Sequence, residues 1–212
     1  MPNYQRDYAW KGKNFRDLWE DLEEAIEYNK KDQGHFIGTM VVAKNEDNKK
    51  LYDIIDGQQR TTIIFMLLHV LANKQNEEDK QETRKYLYQK GGGLKLEVAP
   101  QNQSFFKALL EAAEKGNISY CEKDADTEGK QNLFEVLKAI LDKVSKLNKE
   151  EVNERLEALL EMVLMRFEEP DPGRAIRTFQ SVNDRGVPLL LLDKLNPFSS
   201  IIPTLFAMGK WG

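Results

Sequence analysis

Hydrophobic residues recur at helical spacing soon after an extended N-terminal segment. This spacing predicts an amphipathic helix that is N-capped by Asn14, has Asp17 at the capping-box position and ends near Asn29. The apolar positions on its buried face are Phe15, Leu18, Trp19, Leu22 and Ile26.

Two β-rich segments follow, at residues 36–42 and 51–55, and a polar turn separates them. Alternating and β-branched residues on both sides of such a turn predict a hairpin. The next seven residues, 56–62, read Asp-Gly-Gln-Gln-Arg-Thr-Thr and precede an apolar helix from about residue 63 to 72. The predicted order is therefore strand, tight polar turn and buried helix.

The rest of the chain is mainly helical in pattern. Residues 76–90 are charged without a clear apolar face, and three glycines at 91–93 break the chain. A short strand is predicted at 94–98 and another at 162–167. Helices are predicted at 104–115, 130–147 and 150–160, and after Pro172. The pattern predicts an α+β fold class with a largely helical second half.

Composition narrows the function classes. The chain has 212 residues, 31 Lys plus Arg, 35 Asp plus Glu and a net charge of −4, which argues against a protein that coats nucleic acid through bulk positive charge. One Cys and two His exclude a disulfide framework, a thiolate zinc site and a three-His metal site. No secretory signal or membrane-length apolar run is found, so we expect a cytoplasmic protein with no membrane partner.

Residues 56–62 are the strongest candidate site. A strand that delivers Gly57 into a turn before a helix presents free backbone N–H groups to an anion. Arg60 adds a fork of donors suited to phosphate, Thr61 and Thr62 add hydroxyls, and Asp56 is a ligand for a divalent cation. Gln58 and Gln59 are suited to positioning a water or bonding a base.

The same residues have a simpler interpretation. Asp56 caps the helix, Thr61 and Thr62 only begin it, and Arg60 is solvated. The residue types alone leave both interpretations open.

Two further clusters have similar alternatives. Arg6 lies among Tyr4, Tyr8 and Trp10, which suits a phosphate site with a stacked base, or an edge strand with its aromatic residues buried. Residues 183–186, Asn-Asp-Arg-Gly, end the helix predicted after Pro172 and expose an arginine.

These motifs occur in a recognisable order. Tyr4-Gln5-Arg6 with Tyr8 and Trp10, then Phe36-Ile37-Gly38, then residues 56–62, and finally residues 183–189 with Asp193-Lys194, resemble the N-terminal domain of GmrSD-type restriction endonucleases. This family is a branch of the ParB/sulfiredoxin-like superfamily. The resemblance covers residues 1 to about 195.

The resemblance implies a ParB-like core with a small mixed sheet at residues 1–75 and a helical extension at 76–195 that completes the same domain. Residues 196–212, with Pro197 and Pro203 among apolar residues, form an atypical tail. It implies a module of an anti-phage system that binds and hydrolyses a nucleoside triphosphate, with Mg²⁺, and acts on modified DNA. The nucleotide-binding residues would be Gly57, Gln58, Gln59, Arg60, Thr61, Thr62, Gln5, Arg6, Asn183, Arg185 and Gly186.

Within that family the domain works with a His-Asn-His nuclease domain or subunit. Because only His35 and His69 are present, we expect the nuclease centre to lie outside this chain. In hydrolysis, Arg60 would stabilise the transferred phosphoryl group, and Gln59 or Asp56 would position the water. The alternative is a non-catalytic module that senses a nucleotide or DNA backbone and regulates a partner nuclease.

Overall fold

The computed structural model describes residues 7–29, 35–45, 48, 51–171, 173–174 and 177, together with the backbone of 198–200. Four strands form one sheet in the order β2-β1-β3-β4. They are β1 (Phe36–Lys44), β2 (Tyr52–Asp56), β3 (Val163–Glu169) and β4 (Phe198–Ser200).

The sheet is mixed. Strands β1 and β2 are antiparallel, which confirms the predicted hairpin. Strand β3 runs parallel to β1 on its other side, and β4 is antiparallel to β3. Parallel strands need a crossover connection, and here helices α2 to α6 supply it.

Six α-helices and one 3₁₀ helix are present in the described ranges. They are α1 (Gly12–Asn29), α2 (Gln58–Lys74), α3 (Glu77–Leu87), α4 (Pro100–Glu114), the 3₁₀ helix Ser119–Asp124, α5 (Glu128–Val144) and α6 (Lys149–Glu161). The α+β class with a small mixed sheet is confirmed. No helix of this part of the chain has both the length and the apolar character needed to cross a membrane.

Helix α2 lies in the centre of the hydrophobic core. Every residue from Thr61 to Ala72 is buried, as expected of a helix that is apolar on all sides. Phe65 packs against Phe106 of α4 with their ring centroids 6.0 Å apart. The same hydrophobic cluster contains residues of α1, the sheet and α3 to α6. Because α2 is enclosed in this way, its two ends are held firmly.

Several predicted boundaries are wrong. Helix α1 begins at Gly12, so Asn14 is not its N-cap and Asp17 is not at the capping-box position. Instead, Asn14 Oδ1 accepts the backbone N–H of Lys11 at 2.9 Å from within the first turn. Helix α5 ends at Val144 rather than at residue 147.

The charged region at 76–90 forms helix α3, which the sequence pattern did not predict. Asn76 is its N-cap and accepts the backbone N–H of Asp79, and only Thr83 and Leu87 are buried. The predicted strand at 94–98 is also wrong, because Leu94 forms only an isolated bridge with Tyr88. The helix predicted after Pro172 falls largely outside the described residues, as does most of the 196–212 tail.

His69 is a titratable group inside the core. Its Nε2 lies 3.2 Å from the carbonyl oxygen of Leu110 and its Nδ1 lies 3.5 Å from the Tyr88 hydroxyl. Burial lowers the pKa of His69 to about 4, and the smaller effect of Glu114 raises this pKa whereas that of Arg84 lowers it further. The imidazole is therefore neutral in the folded protein at pH 7.

We predict that His69 makes stability fall on acidification. In the unfolded chain His69 takes up a proton near the ordinary histidine pKa of 6.5, whereas the folded side chain does so only near 4. The contribution of His69 to the free energy of unfolding should therefore be constant above about pH 6.5. It should decrease toward pH 4, by up to about 3 kcal/mol.

Urea unfolding of the wild type and His69→Gln at pH 7, 5.5 and 4.5 measures this effect. Other groups titrate in both proteins, so their contribution cancels in the comparison. The variant should lose less stability over this interval. Parallel losses in the two proteins would contradict the prediction.

Candidate functional site

A single glycine connects strand β2 to helix α2. Gly57 has φ +92° and ψ 2°, in the left-handed region that favours glycine. A Cβ added there would lie 3.2 Å from Met40 Cγ. The helix begins at the next residue, Gln58, which is earlier than the predicted start of the apolar helix near residue 63. Gln58, Arg60 and the buried Thr61 therefore belong to the helix, and the turn itself is a single residue.

The first residues of α2 are partly exposed to solvent. The first backbone N–H groups of a helix have no partner within it and form the positive end of its dipole. Thr61 is the first residue whose N–H bonds back, to the carbonyl oxygen of Gly57 at 2.9 Å. The residue at the N-cap position is Gly57, which has no side chain to cap this end. Such an end is suited to an anion.

Arg60 lies against the backbone of β1. Its Nη1 donates to the carbonyl oxygen of Thr39 at 3.2 Å. A Cβ added to Gly38 would lie 3.1 Å from Arg60 Nη1 and 3.3 Å from Cζ. Gly38 has φ +113° and lies where the β1–β3 register shifts between Phe36 and Thr39. This β-bulge and its glycine make room for the guanidinium group.

Trp10 provides another contact to Arg60. The Cζ atom of Arg60 lies 5.9 Å from the centroid of the Trp10 ring, within the range of a cation–π interaction. Three separate parts of the chain therefore meet at this side chain: the first turn of α2, the bulge of β1 and the segment before α1.

Charges around Arg60 are partly buried. Burial lowers the pKa of Arg60, and the nearby carboxylates of Asp56 and Asp21 oppose that effect. Burial raises the pKa of Asp56, whereas the N–H of Gly57 and the charge of Arg60 lower it. A guanidinium group that is partly desolvated interacts more strongly with an added anion than one in bulk water.

Three of the predicted site residues are bonded within the protein. Gln58 Nε2 donates to the carbonyl oxygen of Ile54 at 2.5 Å. Thr61 Oγ1 donates to the carbonyl oxygen of Gly57 at 3.0 Å, and Thr62 Oγ1 to that of Gln58 at 2.9 Å. Both threonines are buried. In this structure their hydroxyl groups bond to the backbone of the preceding turn.

Gln59 is bonded to the chain that precedes α1. Its Oε1 accepts the backbone N–H groups of Ala9 at 2.8 Å and Trp10 at 3.2 Å. Its Nε2 donates to the carbonyl oxygen of Asp7 at 3.3 Å. The amide of Gln59 is thus bonded to residues 7–10, which we refer to as the 7–10 segment.

Sequence reasoning missed other residues that hold the 7–10 segment. Asp7 Oδ1 accepts from Asn102 Nδ2 at 2.6 Å, and Asn132 Nδ2 donates to the carbonyl oxygen of Tyr8 at 3.1 Å. Tyr8 is buried, but the segment is not a strand. No sequence pattern connects Asn102 or Asn132 with residues so far away along the chain.

The remaining predicted site residues lie outside the described residues. They are Gln5, Arg6, Asn183, Arg185 and Gly186. The convergence of Arg6 and Arg185 on Arg60 therefore stays a prediction.

A small solvent-open pocket of about 30 Å³, which is room for only a few water molecules, lies beside the start of α2. Gln58, Gln59 and Thr62 line it from the helix, and Tyr8 and Asn102 line it from the other side. The hydroxyl of Tyr8 and the Oδ1 of Asn102 are buried, and neither has a hydrogen-bond partner among the described residues. The lining of the pocket is more apolar than polar.

His35, which directly precedes β1, contacts two side chains of helix α1. His35 Nε2 lies 3.6 Å from Asp21 Oδ1, and its ring stacks on Tyr28. Cys121 is buried in the 3₁₀ helix. Within the described ranges, no three His, Cys, Asp or Glu side chains come together as a metal site.

Comparison with known proteins identifies a family whose model matches most of the chain. A family model described as GmrSD restriction endonuclease, N-terminal domain, matches residues 1–199. No curated protein matches the chain. The matched range contains the 7–10 segment, Gly38, Gly57 and Arg60, and therefore the whole site described above.

We predict that Gly38→Ala is more destabilising than the same change at Gly116. Both glycines have positive φ, so both variants carry backbone strain of about 1–3 kcal/mol. The Cβ at residue 38 would also press on Arg60, whereas nothing lies within 4 Å of one at residue 116. Urea unfolding of both variants isolates this contact as the difference between them, and equal losses would show that the Arg60–Gly38 contact is loose.

Proposed function

Because this chain belongs to the GmrSD restriction endonuclease N-terminal domain family, as its sequence motifs predicted, we propose that it binds a nucleoside triphosphate at the β2–α2 turn. The observation that carries the proposal is the N terminus of α2, whose N-cap residue is Gly57, with Arg60 in its first turn. Backbone N–H groups and a guanidinium fork together are a common phosphate-binding arrangement.

The orientation of Arg60 supports this proposal. One N–H of its guanidinium group donates to Thr39, and the side chain is further restrained by Gly38 and Trp10. A guanidinium group carries five N–H donors, so others are available to phosphate oxygens. An arginine that is held in place before binding loses less conformational entropy when the ligand arrives.

The small neighbouring pocket marks the side of the site on which the remainder of the nucleotide would lie. It begins at the same helix end and has Gln58 and Asn102 in its walls. Amide side chains commonly hydrogen-bond a nucleobase or ribose. We therefore propose that the phosphates lie at the N terminus of α2 and that the nucleoside extends toward this pocket.

Hydrolysis would use Arg60 and Asp56. A water oxygen attacks the γ-phosphorus, the bond to the β–γ bridging oxygen breaks, and a nucleoside diphosphate and inorganic phosphate leave. Arg60 stabilises the negative charge on the transferred group. We propose Asp56 to position the water, since the amide of Gln59 is bonded to the 7–10 segment.

Mg²⁺ would fit at this end of β2. Mg²⁺ is commonly held by one or two carboxylates together with substrate phosphates, and Asp56 is a carboxylate beside the open helix end. When bound, the ion would neutralise phosphate charge.

The wider role follows from the family. We propose that the domain has the ParB-like fold and belongs to a modification-dependent restriction system that acts on foreign DNA. Arg6 and Arg185 would reach the same phosphate site, and a His-Asn-His nuclease domain or subunit would cut the DNA. Only two histidines occur in these 212 residues, which supports a nuclease centre in another segment or chain.

A second candidate function is nucleotide sensing without turnover. The observation that favours it is that Gln59, Thr61 and Thr62 are bonded inside the protein. Few side chains of the motif then remain to orient a water. In this role the bound nucleotide would change the state of a partner nuclease, and the chain would bind it without releasing phosphate.

We predict that Arg60→Ala lowers the rate of phosphate release from a nucleoside triphosphate roughly 10²-fold or more, as for loss of a main electrostatic group. The matched control is Arg16→Ala, because Arg16 is an exposed arginine on helix α1. Phosphate release by the purified proteins with Mg²⁺ measures the effect, with ATP and GTP tested separately.

Calorimetry with the same nucleotides separates the two candidate functions. Tight binding that depends on Arg60, with no phosphate release, would support the sensor. Equal binding by the wild type and Arg60→Ala would contradict both proposals, since both place phosphates on this side chain.

A further inference from the structure

We propose that Gln59 and Asp7 are positioning residues that fix the 7–10 segment across the start of α2, so that Trp10 holds Arg60 in place. This inference rests on the proposed nucleotide function, because Arg60 is the phosphate-binding side chain there. It assigns Gln59 a role that acts through Arg60 rather than through contact with the ligand.

The side-chain amide of Gln59 provides hydrogen bonds to the 7–10 backbone that a neighbouring strand would provide in a sheet. The 7–10 segment belongs to neither a helix nor a strand, and its backbone polar groups still need partners. Gln59 Oε1 accepts from Ala9 and Trp10, and its Nε2 donates to the carbonyl oxygen of Asp7. These bonds use both the acceptor and the donor of one amide, which is a reason for glutamine rather than glutamate or leucine at this position.

Asp7 anchors the other side of the segment. Its Oδ1 accepts from Asn102 of α4, and it lies so close to Gly129 that a Cβ added there would be 2.1 Å away. Gly129 is in the first turn of α5, where a carboxylate is favoured by the helix dipole. Asn132, on the same helix, donates to the carbonyl oxygen of Tyr8. Helices α2, α4 and α5 therefore all hold these few residues.

The segment ends at the residue that contacts Arg60. Trp10 follows Ala9 directly, and its own N–H is one of the groups that Gln59 binds. Its ring centroid is 5.9 Å from Arg60 Cζ. If the segment were released, Arg60 would keep its contacts with Gly38 and Thr39 but lose the restraint from Trp10. Phosphate affinity should then fall although no ligand-binding group has been removed.

A double-mutant cycle tests this indirect role. Gln59→Leu should weaken binding of inorganic triphosphate roughly tenfold in the wild-type background, within the usual range for residues that interact. In the Arg60→Ala background the same change should have no further effect. Calorimetry gives all four affinities. An equal loss in both backgrounds would show that Gln59 contacts the ligand itself, and no loss in either would overturn the proposal.

Gly129→Ala tests the anchor at Asp7 without removing any polar group. Alanine is a better helix former than glycine, yet the new Cβ must displace the Asp7 carboxylate. We expect a loss of triphosphate affinity similar to that of Gln59→Leu. The control is Gly12→Ala, also at the start of a helix, where the nearest atom would be 3.9 Å away. Its affinity should match the wild type, and equal affinities of all three proteins would contradict the anchor.

Two measurements without ligand keep this inference separate from the proposed function. Hydrogen exchange at the N–H groups of Ala9 and Trp10 should be slow in the wild type and faster in Gln59→Leu and Gly129→Ala. Modification of Arg60 by phenylglyoxal, followed by mass spectrometry, should also be faster in both variants. If the wild type binds no triphosphate, the phosphate site fails, and these two rates still decide whether the segment positions Arg60. Unchanged rates would overturn the proposal.

Discussion

The burial of helix α2 on every side is the constraint on which the site depends. A helix enclosed by α3 to α6 and the sheet cannot rotate or slide without opening the core. Its N terminus is therefore held at the end of β2, and Arg60 is held opposite β1. Hydrophobic packing, which carries no chemical specificity itself, fixes the direction in which the polar residues of the first turn point.

Two glycines, Gly38 and Gly57, determine the backbone geometry around the first turn of α2. Gly57 connects β2 to α2 within one residue, and a side chain there would meet Met40. Gly38 lets a guanidinium group lie against bare backbone at a β-bulge. Both have positive φ, so their conformations and their lack of a side chain are required at the same positions. Backbone atoms of β1 form part of the surface around Arg60, and a side chain at residue 38 would disturb it.

Periodicity in the sequence predicts most of this fold. The hairpin, the buried helix and the apolar stripe through Leu133, Leu137 and Ile140 all follow from local patterns of apolar residues. Helix α3 could not be found in this way, since only Thr83 and Leu87 are buried and its stability comes from capping and from contact with α2.

The importance of Arg60 is visible in the motif, whereas its contacts with Gly38 and Trp10 arise from tertiary structure. The role of Gln59 in the 7–10 segment depends on residues about fifty positions away, and no local pattern contains that information.

The parallel pairing of β1 with β3 has a consequence for how the chain folds as it is made. The hairpin and α2 can form early from adjacent residues, whereas β3 is synthesised only after helices α2 to α6. The bulge at Gly38 is defined against β3, so the surface that receives Arg60 is complete only when this long loop closes. Contacts of such high sequence separation form late in folding. A nascent chain on the ribosome would thus carry the whole Asp-Gly-Gln-Gln-Arg motif well before it could hold its arginine in place.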